Sequence, residues 1–281
     1  FDQFVNLRPI KLFPGVRGPL RDKTPEDIDF IVVRENTEDF YVAAGGRMKR
    51  GKHRREMEIS RCLYRTHIGM DIDTDASEIG YQLGMISAEG CRRVMVFAFE
   101  LARERKRHIS LIDKANVLTD MYSLWREQFR IVASEFPDIQ TDYYLIDAAA
   151  MWFVREPERF DVIVAPNMFG DILTDLGAAI QGGLGLAPGA NINPNGTSMF
   201  EPIHGSAPPL KGKQVANPIA TIWAGAMMLD FLGEAAASDT VMRAIQRLLT
   251  EGKVKTPDLG GSHKTAEVGE AITSLLSPTG Q

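Results

Sequence analysis

Two aspartates stand four residues apart in a segment that otherwise has the composition of a buried helix. Asp171 and Asp175 belong to PNMFGDILTDLG, which spans positions 166–177. Residues at this spacing are neighbours on one helix face, where like charges repel each other unless water or a cation lies between them. A solvated surface pair is the simpler interpretation, but the flanking residues are mostly apolar. Because hard divalent cations bind carboxylate oxygens, the pair predicts part of a metal site.

Several other charged residues follow predicted strands. The β-rich runs are IDFIVV (28–33), HISLID (108–113), DYYLID (142–147) and FDVIVA (160–165). They alternate with helical patterns, which indicates an α/β architecture whose ligands bind beyond the carboxyl ends of the strands. Arg34, Lys114 and Asp147 lie at such ends. Asp147 would complete a set of three carboxylates for one Mg²⁺ or Mn²⁺, although a helix cap explains this residue equally well.

Three arginines and two further polar residues complement the carboxylates. The arginines are Arg8 in NLRP, Arg17 in GVRGPL and Arg34 in VVRENTED. A guanidinium group can hold a carboxylate through two parallel hydrogen bonds, so these residues point to a substrate with more than one carboxylate. Tyr41 and Lys114 are suited to proton transfer. Surface arginines, a packed tyrosine and a salt-bridged lysine are the structural alternatives.

The motif FEPIHGSAP (200–208) suggests nucleotide binding. The Gly-Ser pair after His204 leaves backbone N–H groups for phosphate oxygens, and the imidazole can stack on an adenine or form a hydrogen bond with it. The motif is weak alone because the chain has no GxGxxG signature after a strand. The glycine-rich stretch 182–197 is predicted to be a loop. Further helices are predicted at 90–106, 123–136, 216–233 and 238–252.

Composition excludes several classes of protein. The 281 residues carry a net charge of -5, which makes nucleic acid an unsuitable partner. The basic run RMKRGKHRR (47–55) therefore predicts a solvated hairpin. Cys62 and Cys91 cannot form a disulfide framework and do not have the spacing of a metal site. No apolar run reaches the roughly 18 residues of a membrane helix, so the prediction is a cytoplasmic protein without membrane contact.

Taken in order, the motifs of this chain resemble the β-decarboxylating dehydrogenase family. They are NLRP, FPGVRGPL, VVRENTEDFY, IDKANVLTD, IDAAAMWFV, FDVIVAPNMFGDILTDLGA, FEPIHGSAP and GKQVANPIATIWAGAMMLDFLG. The resemblance implies an isopropylmalate dehydrogenase-like two-domain α/β fold, with a central mostly parallel sheet flanked by helices and a dimerisation arm. Residues 1–13 and 182–281 would form the cofactor domain. Residues 14–181 would form the metal, substrate and dimerisation domain.

The resemblance also implies roles for individual residues. Substrate carboxylates would be held by Arg8, Arg17 and Arg34. Tyr41 would supply the proton after decarboxylation, and Lys114 would help to remove the hydroxyl proton. The metal ligands would be Asp147, Asp171 and Asp175, and a homodimer would bring Lys114 and Asp147 into the partner subunit's site. The cofactor would contact Asn116, Glu201, His204, Gly205, Ser206, Ala207 and Asn217.

The implied reaction is a metal-dependent oxidative decarboxylation of a malate-like 2-hydroxy acid with NAD as hydride acceptor. The substrate would be a di- or tricarboxylate of the 3-isopropylmalate, tartrate or D-malate type. Isocitrate or homoisocitrate dehydrogenase activity and a non-catalytic regulatory subunit are the alternatives. Pro209 stands where NAD-using members commonly have an aspartate, so NADP is a second candidate cofactor.

Two segments depart from the family pattern. Residues 70–87 resemble an insertion with an acidic start and are expected to be exposed. The strand and GDGIG-like loop that open family members do not precede NLRP, so we expect a fragment of a longer enzyme, with the substrate-selecting helix outside it.

Overall fold

The computed structural model describes residues 1–276. The strands are β1 (Val5–Lys11), β2 (Asp29–Glu35), β3 (Asp39–Ser60), β4 (Arg65–Met85), β5 (His108–Asp113), β6 (Gln140–Leu145), β7 (Val162–Ala165), β8 (Pro188–Ile192) and β9 (Met199–Pro202). The helices are α1 (Ala88–Arg103), α2 (Thr119–Glu135), α3 (Ile146–Arg155), α4 (Asn167–Ile180), α5 (Ile219–Phe231), α6 (Ala235–Glu251) and α7 (Thr265–Leu276). Among these residues, no helix is long and apolar enough to cross a membrane.

A seven-stranded sheet in the order β6-β5-β7-β2-β1-β8-β9 forms the centre of the molecule. Strands β6, β5, β7 and β2 pair in parallel, and β1 is antiparallel to β2. Because β8 is in turn antiparallel to β1, it points in the same direction as β2, and only β1 and β9 are reversed. The predicted mostly parallel sheet is therefore confirmed.

Alternate residues of the central strands pack against different helices. In β7, Val162 and Val164 belong to the core under α1 and α2, whereas Ile163 and Ala165 belong to the core under α3 and α4. This alternation follows from the two-residue period of a strand whose two faces are both covered. The sheet is thus flanked by helices on both faces, as predicted.

The predicted loop at 182–197 is wrong, because it contains β8. All five residues of this strand are buried, and β8 pairs with β1 on one side and with β9 on the other. Its glycine serves close packing rather than a turn. A Cβ atom at Gly189 would lie 2.9 Å from Nε of Arg8, so the missing side chain makes room for the arginine.

Strands β3 and β4 form a separate two-stranded ribbon of 22 and 21 residues. It bends back on itself, since Val42 and Ala44 near its base pack with Ile59 near its turn. Residues 47–55, predicted to form a hairpin, instead lie within the single strand β3, and the turn of the ribbon falls between Ser60 and Arg65. The segment 70–87 is largely the return strand β4, and its acidic residues pair with the basic strand, as in Arg54–Asp71 and Arg47–Glu78. Such exposed pairs add little stability.

The two-domain division of the chain stays a prediction. The seven-stranded sheet continues across the proposed boundaries, because β1, β8 and β9 join β2 without interruption. A third apolar core nevertheless packs α5, α6 and α7 against Phe13 and Leu186. This core lies within the residues assigned to the cofactor domain.

Helix α4 lies unusually close to β1, and we expect this approach to be sensitive to a single methyl group. A Cβ atom at Gly177 would lie 2.2 Å from Cδ1 of Ile10. Gly177→Ala should therefore lower the free energy of unfolding by about 1–3 kcal/mol through overpacking. Urea unfolding measures the change.

The matched control is Gly225→Ala in α5, where no atom lies within 4 Å of the added Cβ. The free energy of unfolding of this variant should rise by about 0.5–1 kcal/mol, because alanine favours a helix more than glycine does. Equal effects of the two substitutions would contradict the close packing of α4 on β1.

Candidate active site

Asp171 lies at the centre of a cluster formed by β2, β3 and α4. One carboxylate oxygen accepts a hydrogen bond from Nη1 of Arg34 at 2.5 Å, and the other accepts a hydrogen bond from the Tyr41 hydroxyl at 2.9 Å. Arg34 lies near the carboxyl end of β2, and Tyr41 lies near the start of β3. Three predicted site residues from distant parts of the sequence are therefore in direct contact.

The Arg34 guanidinium is buried and its side chain passes beside α4. Asn167 accepts hydrogen bonds from Nε at 3.0 Å and from Nη2 at 2.7 Å. A Cβ atom at Gly170 would lie 2.6 Å from Cγ of Arg34, so this glycine provides the space for the arginine. No role was predicted for Asn167, and its position two residues after a predicted strand was its only signal in the sequence.

Tyr41 remains protonated well above neutral pH in this environment. Its ring is 47% exposed, and the centre of the Arg34 guanidinium lies 5.5 Å from the ring centroid. Partial burial raises the pKa of Tyr41, and the hydrogen bond to Asp171 and the charge of that carboxylate raise it further. A tyrosine in this state is a proton donor that is accessible from the site.

Arg8 contributes a second guanidinium to the same charged region. Its Nε donates a hydrogen bond to Oδ1 of Asn6 at 2.7 Å. Burial lowers the pKa of Arg8, as does the positive charge of Arg34, whereas Asp171, Asp175 and Glu201 oppose this shift. Arg8 therefore lies within electrostatic range of both α4 carboxylates.

Asp175 is exposed one helical turn after Asp171. Among the residues that the structure describes, no basic side chain forms an ion pair with it. Its lone pairs are available to a cation, which fits the donor set of a divalent metal. The described part of the chain contains no group of three His, Cys, Asp or Glu side chains able to hold a metal. A single chain thus supplies only part of the predicted ligand set.

Lys114 and Asp147 form an ion pair with each other. Lys114 follows β5, and Asp147 lies in the first turn of α3, so the predicted strand 142–147 ends two residues early, at Leu145. The hydrogen bond from Lys114 lowers the pKa of the Asp147 carboxyl. Among the described residues, the structure does not bring Asp147 together with Asp171 and Asp175. Its transfer to a partner subunit's site stays a prediction.

Arg17 lies apart from the other two arginines. It is exposed in the loop after β1 and lines a cavity of 290 Å³ together with Lys255, Asp258 and Gly182. This loop follows the end of β1 that pairs with the start of β2, whereas Arg34 lies at the opposite end of β2. The geometry therefore gives no support to grouping Arg17 with Arg8 and Arg34.

The predicted cofactor loop is exposed from Gly205 to Ala207. A Cβ atom at Gly205 would meet no other atom within 4 Å, and Ala207 has a left-handed backbone with φ of 42°. Within residues 1–276, the backbone N–H groups of Gly205 and Ser206 donate to no protein acceptor. His204 contacts the Gly205 carbonyl oxygen through Nδ1. The loop can therefore offer N–H groups to an anionic ligand.

The remaining cofactor residues are divided between this region and the β5 loop. Asn217 accepts a hydrogen bond from the backbone N–H of Ile219 and donates one to Asp258 at 3.0 Å. Glu201 in β9 accepts a hydrogen bond from Asn191. Asn116 is exposed two residues after Lys114.

Three buried acids in RENTED form hydrogen bonds beside the site, and none of them was predicted from the sequence. Glu35 accepts hydrogen bonds from the backbone N–H groups of Thr37 and Glu38, and Glu38 accepts two hydrogen bonds from Ser87. Asp39, at a positive φ of 65°, accepts a hydrogen bond from the backbone N–H of Met168. This last contact joins β3, which carries Tyr41, to the first turn of α4.

Comparison with known proteins identifies the family. Residues 1–272 match the sequence profile described as isocitrate/isopropylmalate dehydrogenase. The decarboxylating D-malate dehydrogenase of Escherichia coli (strain K12) is 44% identical, with 98% of this chain and 72% of the relative covered. The tartrate dehydrogenase/decarboxylase of Pseudomonas putida is 42% identical, with 99% and 72% covered. The crystal structure of isocitrate dehydrogenase from Methylococcus capsulatus has a TM-score of 0.80 at 35% identity, with 98% and 74% covered.

The fold and these similarities define a decarboxylating dehydrogenase, an oxidoreductase that acts on CH–OH donors. The chain belongs to the isocitrate/isopropylmalate dehydrogenase family. The predicted family and α/β fold are both confirmed.

The buried Glu35 should make stability depend on pH near neutrality. Desolvation raises the pKa of Glu35 to about 7, although the hydrogen bonds from Thr37 and Glu38 oppose the shift. Because this pKa is higher in the folded than in the unfolded state, the ionised carboxyl destabilises the fold above pH 7. The penalty is relieved as the pH falls. When the pH is lowered from 8 to 6, the free energy of unfolding of the wild-type protein should rise by about 1 kcal/mol. That of Glu35→Gln should not rise.

Urea unfolding at the two pH values measures this difference. Glu127→Gln, which changes an exposed residue of α2, should retain the wild-type pH dependence. Parallel pH profiles for wild type and Glu35→Gln would show that Glu35 titrates normally.

Proposed function

We propose that this protein catalyses the metal-dependent oxidative decarboxylation of a malate-like 2-hydroxy acid with NAD as hydride acceptor. The proposed substrate is a dicarboxylate of the D-malate, tartrate or 3-isopropylmalate type. The observation that carries the proposal is the direct contact of Arg34 and Tyr41 with the two oxygens of Asp171. The contact supports the proposal because a guanidinium that can bind an anion, a carboxylate that can bind a cation and a hydroxyl that can donate a proton lie side by side.

Two guanidinium groups suit a substrate with two carboxylates. Arg34 is buried and Arg8 is partly buried; Asp171 contacts Arg34, and the negative charges of Asp171 and Asp175 act on Arg8. Buried guanidinium groups bind carboxylates strongly because little competing water is present. Arg8 and Arg34 are therefore the proposed substrate-binding residues. Arg17 is left out of this assignment because its loop follows the end of β1 that pairs with the start of β2, whereas Arg34 lies at the other end of β2.

A divalent cation would be held by Asp171, Asp175 and Asp147 of the partner subunit. When bound, such a cation polarises the substrate hydroxyl and stabilises negative charge on the adjacent oxygen. Asp171 already shares its oxygens between Arg34 and Tyr41, and Asp175 is exposed beside it. Each Asp171 oxygen retains a lone pair beyond its hydrogen bond, which together with the exposed Asp175 supports binding of Mg²⁺ or Mn²⁺.

Tyr41 and Lys114 would move the protons of the reaction. The raised pKa of Tyr41 keeps its hydroxyl protonated, so that it can donate to the carbon that loses CO₂. Lys114, in a site completed by a second subunit, would help to take the proton of the substrate hydroxyl. Its ion pair with Asp147 holds the ammonium at the start of α3.

NAD would bind along the loop that follows β9. The exposed N–H groups of Gly205 and Ser206 suit the phosphate oxygens of a dinucleotide. His204, Ala207, Glu201 and Asn217 would line the same site, and Asn116 would approach it from the β5 loop. Asp258 accepts a hydrogen bond from Asn217 and so places a carboxylate beside this proposed cofactor residue. NADP is the alternative cofactor.

Exposed apolar residues beside Asp147 support a homodimer with shared sites. Met151 and Val154 follow Asp147 at helical spacing on α3 and are 43% and 46% exposed. On the adjacent helix α4, Ile172 is 59% exposed next to Asp171. A second copy that covers these side chains would bring its own Asp147 towards the α4 carboxylates.

Asp171→Asn and Asp175→Asn test the metal assignment. Both variants should bind Mn²⁺ more weakly and lose about 100-fold or more in kcat, because each removes a charged ligand. Asp239→Asn, which changes an exposed residue of α6, is the control. The complete protein is assayed with Mn²⁺ and NAD on D-malate, tartrate, 3-isopropylmalate and isocitrate.

No cofactor reduction from any of these substrates, or from NADP, would refute the proposed reaction. A large loss of Tm with unchanged Mn²⁺ binding would instead show that the two aspartates are structural.

Met151→Lys tests the shared site. An unpaired ammonium group in an apolar contact costs more than about 1.4 kcal/mol, so the dimer dissociation constant should rise at least about tenfold. Activity should fall in parallel with the fraction of dimer, which sedimentation experiments measure. Met228→Lys is the matched control, because Met228 on α5 is similarly exposed at 42%. Loss of dimer in both variants, or in neither, would contradict the assignment of this face.

A further inference from the structure

Asn167 is the first residue of α4 and is 1% exposed. Its side-chain oxygen accepts two hydrogen bonds from Arg34, at 3.0 Å from Nε and 2.7 Å from Nη2. Its Nδ2 group donates to the backbone carbonyl of Glu38 at 3.2 Å. The donor to Glu38 fixes the orientation of the amide, so the oxygen must face the guanidinium.

These bonds determine which part of Arg34 is free. A guanidinium group has five N–H donors, and Asn167 and Asp171 together accept from three of them. The two that are left belong to the terminal nitrogens Nη1 and Nη2. The terminal nitrogens are therefore the part of the guanidinium that can still donate to a substrate carboxylate.

The neutral amide also preserves the charge of the arginine. Asp171 already places one carboxylate against Arg34. A second carboxylate at position 167 would surround a single cation with two anions and leave little positive potential for a substrate. An amide accepts the same hydrogen bonds without this cancellation.

We propose that Asn167 is a positioning residue that orients Arg34 for the substrate carboxylate and keeps its charge available. The inference rests on the proposed function, in which Arg34 binds substrate. Asn167 itself does not contact the reacting atoms in this assignment. Its effect should therefore appear in substrate affinity much more than in the rate of the bound complex.

Asn167→Asp is the main test, and Gln181→Glu is its matched control. Gln181 is a fully buried amide at the end of the same helix, where it accepts from the Lys11 backbone and donates to the Leu186 carbonyl. Each substitution replaces a buried amide by a carboxylate and removes one donated bond. Both should lower Tm, and Gln181→Glu should lower it more, because its carboxylate lies at the carboxyl end of the helix whereas that of Asn167→Asp lies against Arg34. Only Asn167→Asp should raise KM for the hydroxy acid, by about tenfold or more, with kcat within about threefold.

Asn167→Ser separates charge from packing. It removes the two acceptor bonds and leaves a cavity, but it adds no charge. We expect a KM between those of wild type and Asn167→Asp. A structural role alone predicts the reverse order, because the cavity should disturb the site more than the isosteric carboxylate. Unchanged KM in Asn167→Asp, or equal KM changes in Asn167→Asp and Gln181→Glu, would refute the positioning role.

Arg34→Lys distinguishes failure of the positioning role of Asn167 from failure of the proposed function. If Arg34 binds the substrate, Arg34→Lys should raise KM even where Asn167→Asp does not. If Arg34→Lys leaves KM unchanged, substrate binding by Arg34 is itself refuted. Binding of malonate, an unreactive dicarboxylate, followed by calorimetry gives the same comparison without turnover.

Discussion

The buried guanidinium of Arg34 is the interaction on which the candidate site depends. A guanidinium group cannot lose its proton at any physiological pH, so its burial between β2 and α4 requires acceptors that stay in place. Asn167 and Asp171 provide them, one turn apart on the same helix. The cost of leaving such a charge without partners is several kcal/mol. The fold therefore holds α4 in one orientation relative to β2, and this orientation also determines where Asp175 points.

The same requirement explains the glycines of α4. Gly170 leaves space for the Arg34 side chain, and Gly177 allows the helix to approach Ile10 of β1. With larger residues at these positions, the helix would lie farther from the sheet and Asp171 would lose contact with Arg34 or Tyr41. The hydrogen bond from the Met168 backbone to Asp39 joins the start of the helix to β3. Close packing and polar contacts thus place the carboxylates, rather than any preference of the helix itself.

Part of this arrangement could be predicted from the sequence because it is local. The strand runs, the apolar helix around Asp171 and the positions of Arg34 and Lys114 at strand ends follow from periodicity. β8 could not be predicted, because PGANI has a loop-like composition and becomes a strand only through its pairing with β1 and β9. Asn167 and the buried acids Glu35 and Asp39 escaped prediction for a similar reason. The partners of Asn167 and Asp39 are far away in sequence. Glu35 is bonded by its neighbours Thr37 and Glu38, but its burial depends on the whole fold.

Lys114 and Asp147 form an ion pair with each other and, within one chain, not with the carboxylates of α4. They neutralise each other at the start of α3, whereas Asp171 and Asp175 lie on α4 with Asp175 exposed. If these carboxylates are the metal ligands of the proposed enzyme, its chemistry depends on assembly, because neither half holds enough carboxylates to fix a cation firmly. The apolar side chains that surround each half, Met151 and Val154 on α3 and Ile172 on α4, would be covered by that same assembly. Burial of apolar surface between subunits would then drive completion of the metal site, which couples activity directly to association.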